Sequence, residues 1–195
     1  MHALKVVPNM ERIYIDRKDF YGKATVKRHL ERYRWVLKNT KECDIALDLC
    51  CGSGYGTHMI SKKAMNIVGV EIDETAVAFA KQTYKERNLE YRRTDLNDPF
   101  SLGEQARFDL VIWVEAIEHF TPEQISDILP RIKDLLSPDG KLLITTPDLA
   151  SSDGMNKYHL HEYSVDELKA LIGYYFTIKS TTVKEKFIYM IARQK

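Results

Sequence analysis

One stretch of the chain sets its architecture, and it reads Ile45-Ala46-Leu47-Asp48-Leu49-Cys50-Cys51-Gly52-Ser53-Gly54-Tyr55-Gly56-Thr57. Its first part is a short apolar run that ends in an acid, which predicts a buried strand. The glycines that follow allow positive φ and let the backbone approach a ligand with no Cβ in the way. The next residues can open a helix, whose first turn presents unpaired N–H groups to an acceptor. The stretch therefore predicts a strand, a glycine loop and a helix that together hold a nucleotide-like cofactor.

Strands and helices alternate along the chain outside this stretch. Strands are predicted at residues 44–49, 66–71, 89–93, 108–114, 141–146, 176–184 and 187–193. Helices are predicted at residues 24–38, 55–62, 74–85, 122–136 and 165–174. Pro130 is expected to kink or split the fourth helix, and residues 138–140 to form a turn. The alternation predicts a single-domain, doubly wound α/β sheet whose last two strands pair as an antiparallel hairpin.

The charge of the chain is unevenly distributed. The formal net charge of the 195 residues is +1, yet residues 1–41 contain eleven Lys and Arg against four Asp and Glu. A basic helix at this end could meet phosphate, a nucleotide-sugar or RNA. A solvated helix face would have the same composition.

Composition also indicates the compartment. No long uninterrupted apolar segment is present, so we expect no membrane span. The first ten residues lack the charged-then-apolar order of a signal peptide. Three cysteines, of which Cys50 and Cys51 are adjacent, form no disulfide framework and suit a reducing cytoplasm.

Polar side chains follow the predicted strands. Residues 52–55 follow the first strand, Glu71 ends the second, Asp95 follows the third, residues 115–119 follow the fourth and residues 159–162 lie after the fifth. Ligands of doubly wound sheets bind at the carboxyl ends of the strands. We therefore expect these residues to meet at one edge of the sheet.

Three features bear on which cofactor is bound. Glu71 lies about twenty residues after the glycine loop, where a carboxylate accepts the ribose hydroxyls of NAD or of any adenosine-bearing ligand. The loop is G-x-G-x-G, with Thr57 where a dinucleotide enzyme has its third glycine. Asp48 at the loop mouth would repel a pyrophosphate but attract an ammonium or a sulfonium. These features favour S-adenosylmethionine and leave an NAD-dependent oxidoreductase as an alternative.

From about His29 to its C-terminus the chain resembles the class I S-adenosylmethionine-dependent methyltransferases. The matching segments are residues 48–56, 68–73, 93–96, 108–111 and 135–142. The resemblance implies a seven-stranded Rossmann-like sheet of order 3-2-1-4-5-7-6 with strand 7 antiparallel. It also implies that residues 41–195 form the cofactor-binding domain and that residues 1–40 form a helical lead-in that acts as a cofactor lid.

The resemblance also implies which residues bind the cofactor. They are Arg32, Tyr33, Asp48, Cys50, Gly52, Ser53, Gly54, Tyr55, Glu71, Ile72, Asp95, Leu96 and Val114. Asp95 matches the acid that reaches the adenine amino group. Cys50 stands where the family usually has the first glycine of the loop. Because a Cβ disfavours positive φ, we expect either that the turn differs slightly there or that the position tolerates a small side chain.

A finer resemblance is to bacterial methyltransferases of the ubiquinone-biosynthesis and surface-sugar type. The segments that carry it are residues 29–33, 51–56, 115–119 and 159–164. In that pattern the leading helix closes over the cofactor, which implies that Arg32 or Tyr33 holds the methionine carboxylate.

The chemistry expected is an in-line methyl transfer to a small-molecule acceptor, with an oxygen as nucleophile. The protein supplies alignment, and a base is needed where the acceptor must lose a proton. The candidates are Glu115, Glu118 and His119, of which His119 comes first because imidazole titrates near neutral pH.

An alternative assigns the same residues to a metal. Glu115 and Glu118 at positions i and i+3 would share a face of a helical turn, with His119 beside them and His159 or His161 added from a later loop. The pattern is similar to RNA 3′-end 2′-O-methyltransferases, although Phe120 departs from it. Our leading hypothesis assigns no metal, does not favour a nucleic-acid substrate, and leaves monomer and homodimer open.

Overall fold

The computed structural model describes residues 12–16, 18–42, 44–98, 107–152 and 154–195. Its strands form one seven-stranded sheet of order β3-β2-β1-β4-β5-β7-β6, as predicted. β7 runs antiparallel to both of its neighbours, β5 and β6, and the other neighbouring pairs of described strands are parallel. The strands are β1 Ile45–Leu49, β2 Asn66–Glu71, β3 Leu89–Arg93, β4 Phe108–Val114, β5 Leu136–Pro147, β6 Phe176–Lys184 and β7 Phe187–Gln194.

Helices cover both faces of this sheet. They are α1 Lys18–Tyr21, α2 Lys23–Asn39, α3 Tyr55–Ser61, α4 Glu74–Thr83, α5 Pro122–Leu135 and α6 Val165–Tyr175. Short 3₁₀ helices span Ile117–His119 and Leu149–Ser151. Among the described residues, no helix has the length and apolar content needed to cross a membrane. Residues 1–11 of the predicted lead-in and residues 99–106 lie outside the described residues.

The core lies on the two faces of the central strands. β4 is apolar almost throughout, and its buried side chains contribute to both faces, with Val111 and Trp113 on one and Leu110 and Ile112 on the other. The first face packs against α5 and α6, and the second against α2 and α3. Such near-continuous apolar runs are typical of parallel strands that are covered on both faces.

The turn between β1 and α3 needs left-handed backbone at three positions. Gly52 and Gly54 have φ of 56° and 83°, and Cys50 also takes a φ of 54°. Of the two outcomes expected at Cys50, the structure has the second, since the turn keeps its left-handed backbone and the position accepts a side chain. The surrounding contacts hold it in a conformation that a side chain normally disfavours, among them the bond from Cys51 N–H to the Val70 carbonyl at 2.9 Å.

The helix around Pro130 and the segment at residues 138–140 differ in part from prediction. Of the two outcomes expected at Pro130, a kink or a split, the split is excluded because α5 runs unbroken from Pro122 to Leu135. Pro130 lacks an N–H for the carbonyl of Ser126, and the hydroxyl of Tyr175 donates to that carbonyl at 3.4 Å. The predicted turn at residues 138–140 lies within β5, where the register jumps from Phe108–Leu136 to Leu110–Lys141 and the extra residues form a bulge.

The N-terminal helix α2 is fixed to the sheet at Tyr33. Its ring lies over Gly56 so closely that a Cβ on that glycine would be 2.0 Å from Tyr33 Cζ. The Tyr33 hydroxyl donates to Asp48 at 3.4 Å, and the ring meets Tyr55 edge-on with centroids 5.3 Å apart. Gly56 is therefore required for the approach of α2.

We predict that Gly56→Ala lowers the free energy of unfolding by about 1–3 kcal/mol, because the added methyl group would overpack against the Tyr33 ring. Gly173→Ala is the matched control, since its Cβ would meet Ile178 Cδ1 at 3.6 Å. Alanine should leave that helix unchanged or stabilise it by up to about 1 kcal/mol. Urea unfolding measures both variants, and equal effects would contradict the proposed contact.

Candidate active site

A cavity of about 290 Å³ lies at the carboxyl edge of the sheet. Most of the predicted cofactor residues line it, namely Tyr33, Cys50, Gly52, Ser53, Tyr55, Glu71, Ile72, Asp95, Leu96 and Val114. They come from α2, the glycine loop and the segments that follow β2, β3 and β4. The edge expected from strand topology therefore brings together residues that are far apart in the chain.

The carboxylate of Glu71 is held by three contacts at the wall of this cavity. Its Oε2 accepts a hydrogen bond from the Gly52 N–H at 3.0 Å, and its Oε1 accepts one from the Asp73 N–H at 3.1 Å. The guanidinium of Arg12 lies 3.2 Å from Oε1. The carboxylate is thus oriented at the cavity wall, where it can accept ribose hydroxyls.

Asp95 lies farther along the same wall. Its Oδ1 accepts hydrogen bonds from the backbone N–H and the side-chain amide of Asn97, at 2.9 and 3.1 Å. Ile72 and Leu96 add apolar surface to the lining. An acid between apolar side chains suits a flat base that carries an exocyclic amine.

Asp48 does not lie at the mouth of the loop as predicted. It is fully buried beneath the loop and does not line the cavity. Thr57 Oγ1 donates to it at 2.7 Å, and Tyr33 donates from the other side. Burial raises the pKa of Asp48 to about 7. Gly54 is also absent from the cavity lining and caps α3 instead.

Of the two residues expected to hold the methionine carboxylate, Tyr33 lines the cofactor cavity and Arg32 does not. Its Nη2 is paired with Glu115 Oε2 at 3.0 Å, and its guanidinium stacks on Phe187, 3.6 Å from the ring centroid. Both contacts hold it in the wall of a second cavity of about 260 Å³.

Sequence reasoning missed a segment that crosses the cofactor cavity. Arg12 pairs with both Glu71 and Asp73, and the carbonyl of Ile13 accepts a hydrogen bond from Ser53 Oγ at 2.6 Å. Tyr14 meets Phe79 edge-on. This part of the sequence has no periodicity or motif, so nothing in it predicted these contacts.

The two cavities adjoin. Both are lined by Ile13, His29, Glu115 and His119. Burial and the nearby Arg32 and Arg28 lower the pKa of His29 to about 3, so this imidazole is neutral. A cofactor in the first cavity would therefore share a wall with a molecule in the second.

The predicted catalytic acids differ from expectation in their backbone. Glu115 has a φ of 51° and precedes the 3₁₀ helix Ile117–His119, so it does not share a helical face with Glu118. Glu118 is buried and accepts a hydrogen bond from Thr146 Oγ1 at 2.9 Å. Burial and Glu115 raise the pKa of Glu118 well above its usual range, which favours its neutral form.

His119 lies at the junction of the cavities, and its Nδ1 is 2.9 Å from the carbonyl oxygen of Tyr158. Among the described residues, Glu118, His119 and His159 could hold a metal ion, since their ligand atoms lie within 4.8 Å of one another. Glu115, which the predicted metal site also included, is not part of this group. Its carboxylate is occupied by Arg32 and by Thr145, which donates to it at 2.8 Å.

The fold is that of a class I S-adenosylmethionine-dependent methyltransferase. Four features define it, namely the order of the strands, the glycine turn, the oriented carboxylate of Glu71 at the end of β2 and the cavity that they border. A family model described as a methyltransferase domain matches residues 46–140. Over this domain the chain is similar to S-adenosylmethionine-dependent methyltransferases, and S-adenosylmethionine is its cofactor. We therefore set aside the alternative that the chain is an NAD-dependent oxidoreductase.

Relatives with curated names agree with this assignment. A probable S-adenosylmethionine-dependent methyltransferase of Mycobacterium tuberculosis is 28% identical over 152 residues, 75% of this chain and 53% of that protein. A ubiquinone biosynthesis O-methyltransferase of Actinobacillus pleuropneumoniae is 31% identical over 106 residues, 51% of this chain and 44% of that protein. The chain thus spans about half the length of these relatives.

Solved structures share the fold. The PH0226 protein of Pyrococcus horikoshii has a TM-score of 0.75 at 21% identity, covering 90% of this chain and 94% of its own. The Burkholderia thailandensis 1,6-didemethyltoxoflavin-N1-methyltransferase, solved with bound 1,6-didemethyltoxoflavin and S-adenosylhomocysteine, has a TM-score of 0.71 at 21% identity, covering 93% of this chain and 88% of its own.

We predict that Glu71→Gln weakens binding of S-adenosylhomocysteine about 10- to 100-fold, because a charged acceptor for the ribose hydroxyls is lost while the shape is kept. Isothermal titration calorimetry measures the affinity. Glu74→Gln, an exposed position in the first turn of α4, is the control and should bind normally. Unchanged affinity in Glu71→Gln would rule out this role for the carboxylate.

Asp48 should make stability depend on pH. The pKa of Asp48 is higher in the folded protein than in the unfolded chain. Protonation of Asp48 therefore stabilises the folded state. This stabilisation is complete at pH values below the unfolded pKa and is lost as pH rises through the folded pKa of about 7. Between about pH 5.5 and pH 8, the free energy of unfolding of the wild type should fall about 1–2 kcal/mol more than that of Asp48→Asn. Urea unfolding at both pH values checks this, and parallel losses would contradict it.

Proposed function

We propose that this protein transfers a methyl group from S-adenosylmethionine to an oxygen atom of a small-molecule acceptor. The observation that carries this proposal is the shared wall of the two cavities, formed in part by Glu115 and His119. The cofactor occupies the first cavity and the acceptor the second. The reacting atoms then meet near this wall in an in-line arrangement, for which alignment is the main contribution of the protein.

The dimensions and surroundings of the second cavity support a small acceptor. Its volume of about 260 Å³ suits a molecule the size of a phenol or a single sugar. The ubiquinone biosynthesis O-methyltransferases among the relatives favour a phenolic oxygen. The lead-in at residues 1–40 acts as the lid in this proposal, supported by the contacts of Arg12 and Ile13 across the cofactor cavity.

We do not propose the predicted metal-dependent RNA 2′-O-methyltransferase. Its metal required Glu115 together with Glu118, His119 and His159, and Glu115 is instead paired with Arg32. The basic residues of α2 that face outward, such as Lys27 and Arg34, are equally compatible with a solvated helix face.

We predict that the wild-type protein methylates catechol and leaves 1,2-diaminobenzene and a short single-stranded RNA unmodified. The two aromatic probes have the same shape and differ in the nucleophilic atom. Formation of S-adenosylhomocysteine measures turnover, and mass spectrometry of the product identifies the methylated atom. Activity should also survive dialysis against a chelator.

Two results would contradict this proposal. Methylation of the diamine alone would move the reaction to nitrogen. Activity on RNA that is lost with the chelator and restored by Mn²⁺ would instead favour the metal-dependent alternative.

A further inference from the structure

We propose that His159, oriented by Glu162, is the general base that removes the proton of the acceptor, an inference that rests on the proposed function. Both residues lie after β5 and line the second cavity. The Nδ1 atom of His159 is 2.5 Å from Glu162 Oε1, and the two side chains are only 13% and 10% exposed. A shielded contact between an imidazole and a carboxylate is the arrangement that orients a catalytic histidine.

The hydrogen bonds of His159 define which nitrogen can act. A carboxylate only accepts hydrogen bonds, so the Nδ1 proton of a neutral imidazole points at Glu162 and the Nε2 atom carries the lone pair. The side-chain amide nitrogen of Asn156, which donates, lies 2.7 Å from Nε2. Asn156 is exposed and also lines the cavity, so an acceptor hydroxyl can replace its amide at Nε2.

His119 is less suited to hold the proton. Its Nδ1 faces the neutral carbonyl of Tyr158, whereas that of His159 faces a carboxylate. A carboxylate stabilises the imidazolium that forms when the proton is taken, because the hydrogen bond is then assisted by opposite charges. The two rings are adjacent, with centroids 5.3 Å apart. His119 therefore orients the acceptor at the junction of the cavities while His159 accepts its proton.

Methyl transfer with His159 as the base needs no reactant besides the acceptor and S-adenosylmethionine. The acceptor oxygen forms a bond to the methyl carbon as the sulfur–carbon bond breaks, and that electron pair stays on sulfur to give S-adenosylhomocysteine. The acceptor O–H bond breaks, its electron pair stays on oxygen, and the proton moves to Nε2 of His159. The imidazolium later releases this proton to water.

The first test needs no acceptor. At about pH 8.5, ¹⁵N NMR of histidine-labelled protein should show His159 with a proton on Nδ1 and none on Nε2. In Glu162→Gln the glutamine amide can donate as well as accept, so this tautomer should lose its preference while affinity for S-adenosylhomocysteine is unchanged. A proton on Nε2 of His159 in the wild type would overturn the proposal whatever the acceptor is.

The second test is kinetic and uses catechol as the acceptor. His159→Gln should lower kcat about 100-fold or more with KM little changed, since a general base contributes on the order of 10²–10⁴. Glu162→Gln should lower kcat less, and Glu162→Asp should recover part of that loss. A larger fall of kcat in His119→Gln than in His159→Gln would overturn the assignment.

The chain contains a matched control pair. His161 Nε2 lies 2.5 Å from Glu167 Oε1, and neither residue lines the two cavities. His161→Gln should therefore keep wild-type kcat and KM. If the wild type does not methylate catechol but the NMR result holds, the proposed acceptor class fails while the orientation of His159 by Glu162 is supported.

Discussion

The contact of Tyr33 with Gly56 and Asp48 is the constraint on which the site depends. It joins α2 to the start of α3 and to the end of β1 at one point. The close approach is possible only because residue 56 has no Cβ. With α2 held there, Arg32, one residue earlier in the helix, reaches Glu115 at the end of β4. The wall between the two cavities is thus built by a helix that lies outside the βα repeats.

Buried acids concentrate at this edge of the sheet. Burial raises the pKa values of Asp48, Glu115 and Glu118, and Arg32 is the buried cation in contact with one of them. A cofactor with a sulfonium and an ammonium group would favour the ionised forms of these acids, whereas a pyrophosphate would favour their neutral forms further. The charge argument for the cofactor therefore holds for the edge as a whole, although Asp48 itself is out of contact with the cavity.

Most of the fold could be predicted because its signals are local. Apolar runs and their spacing located all seven strands, and Asp73 and Ser164 cap their helices with hydrogen bonds to the following backbone N–H groups. The features that were predicted wrongly or incompletely depend on contacts with residues far away in the sequence. The sequence around Pro130 contains no sign that Tyr175 will satisfy the carbonyl left without a partner, and nothing near residue 138 shows that the strand continues through a bulge.

The candidate active site, like the fold, could be predicted only in part from the sequence. The family resemblance, carried by motifs in chain order, predicted the sheet order, the cofactor class and most of the residues that line the first cavity. These residues meet because the carboxyl ends of parallel strands share one edge. Long-range packing alone established that Arg32 pairs with Glu115, that Arg12 lies against Glu71 and that Glu162 orients His159. Such contacts depend on how helices and loops pack on the sheet, and periodicity along the chain carries no information about side chains that meet across it.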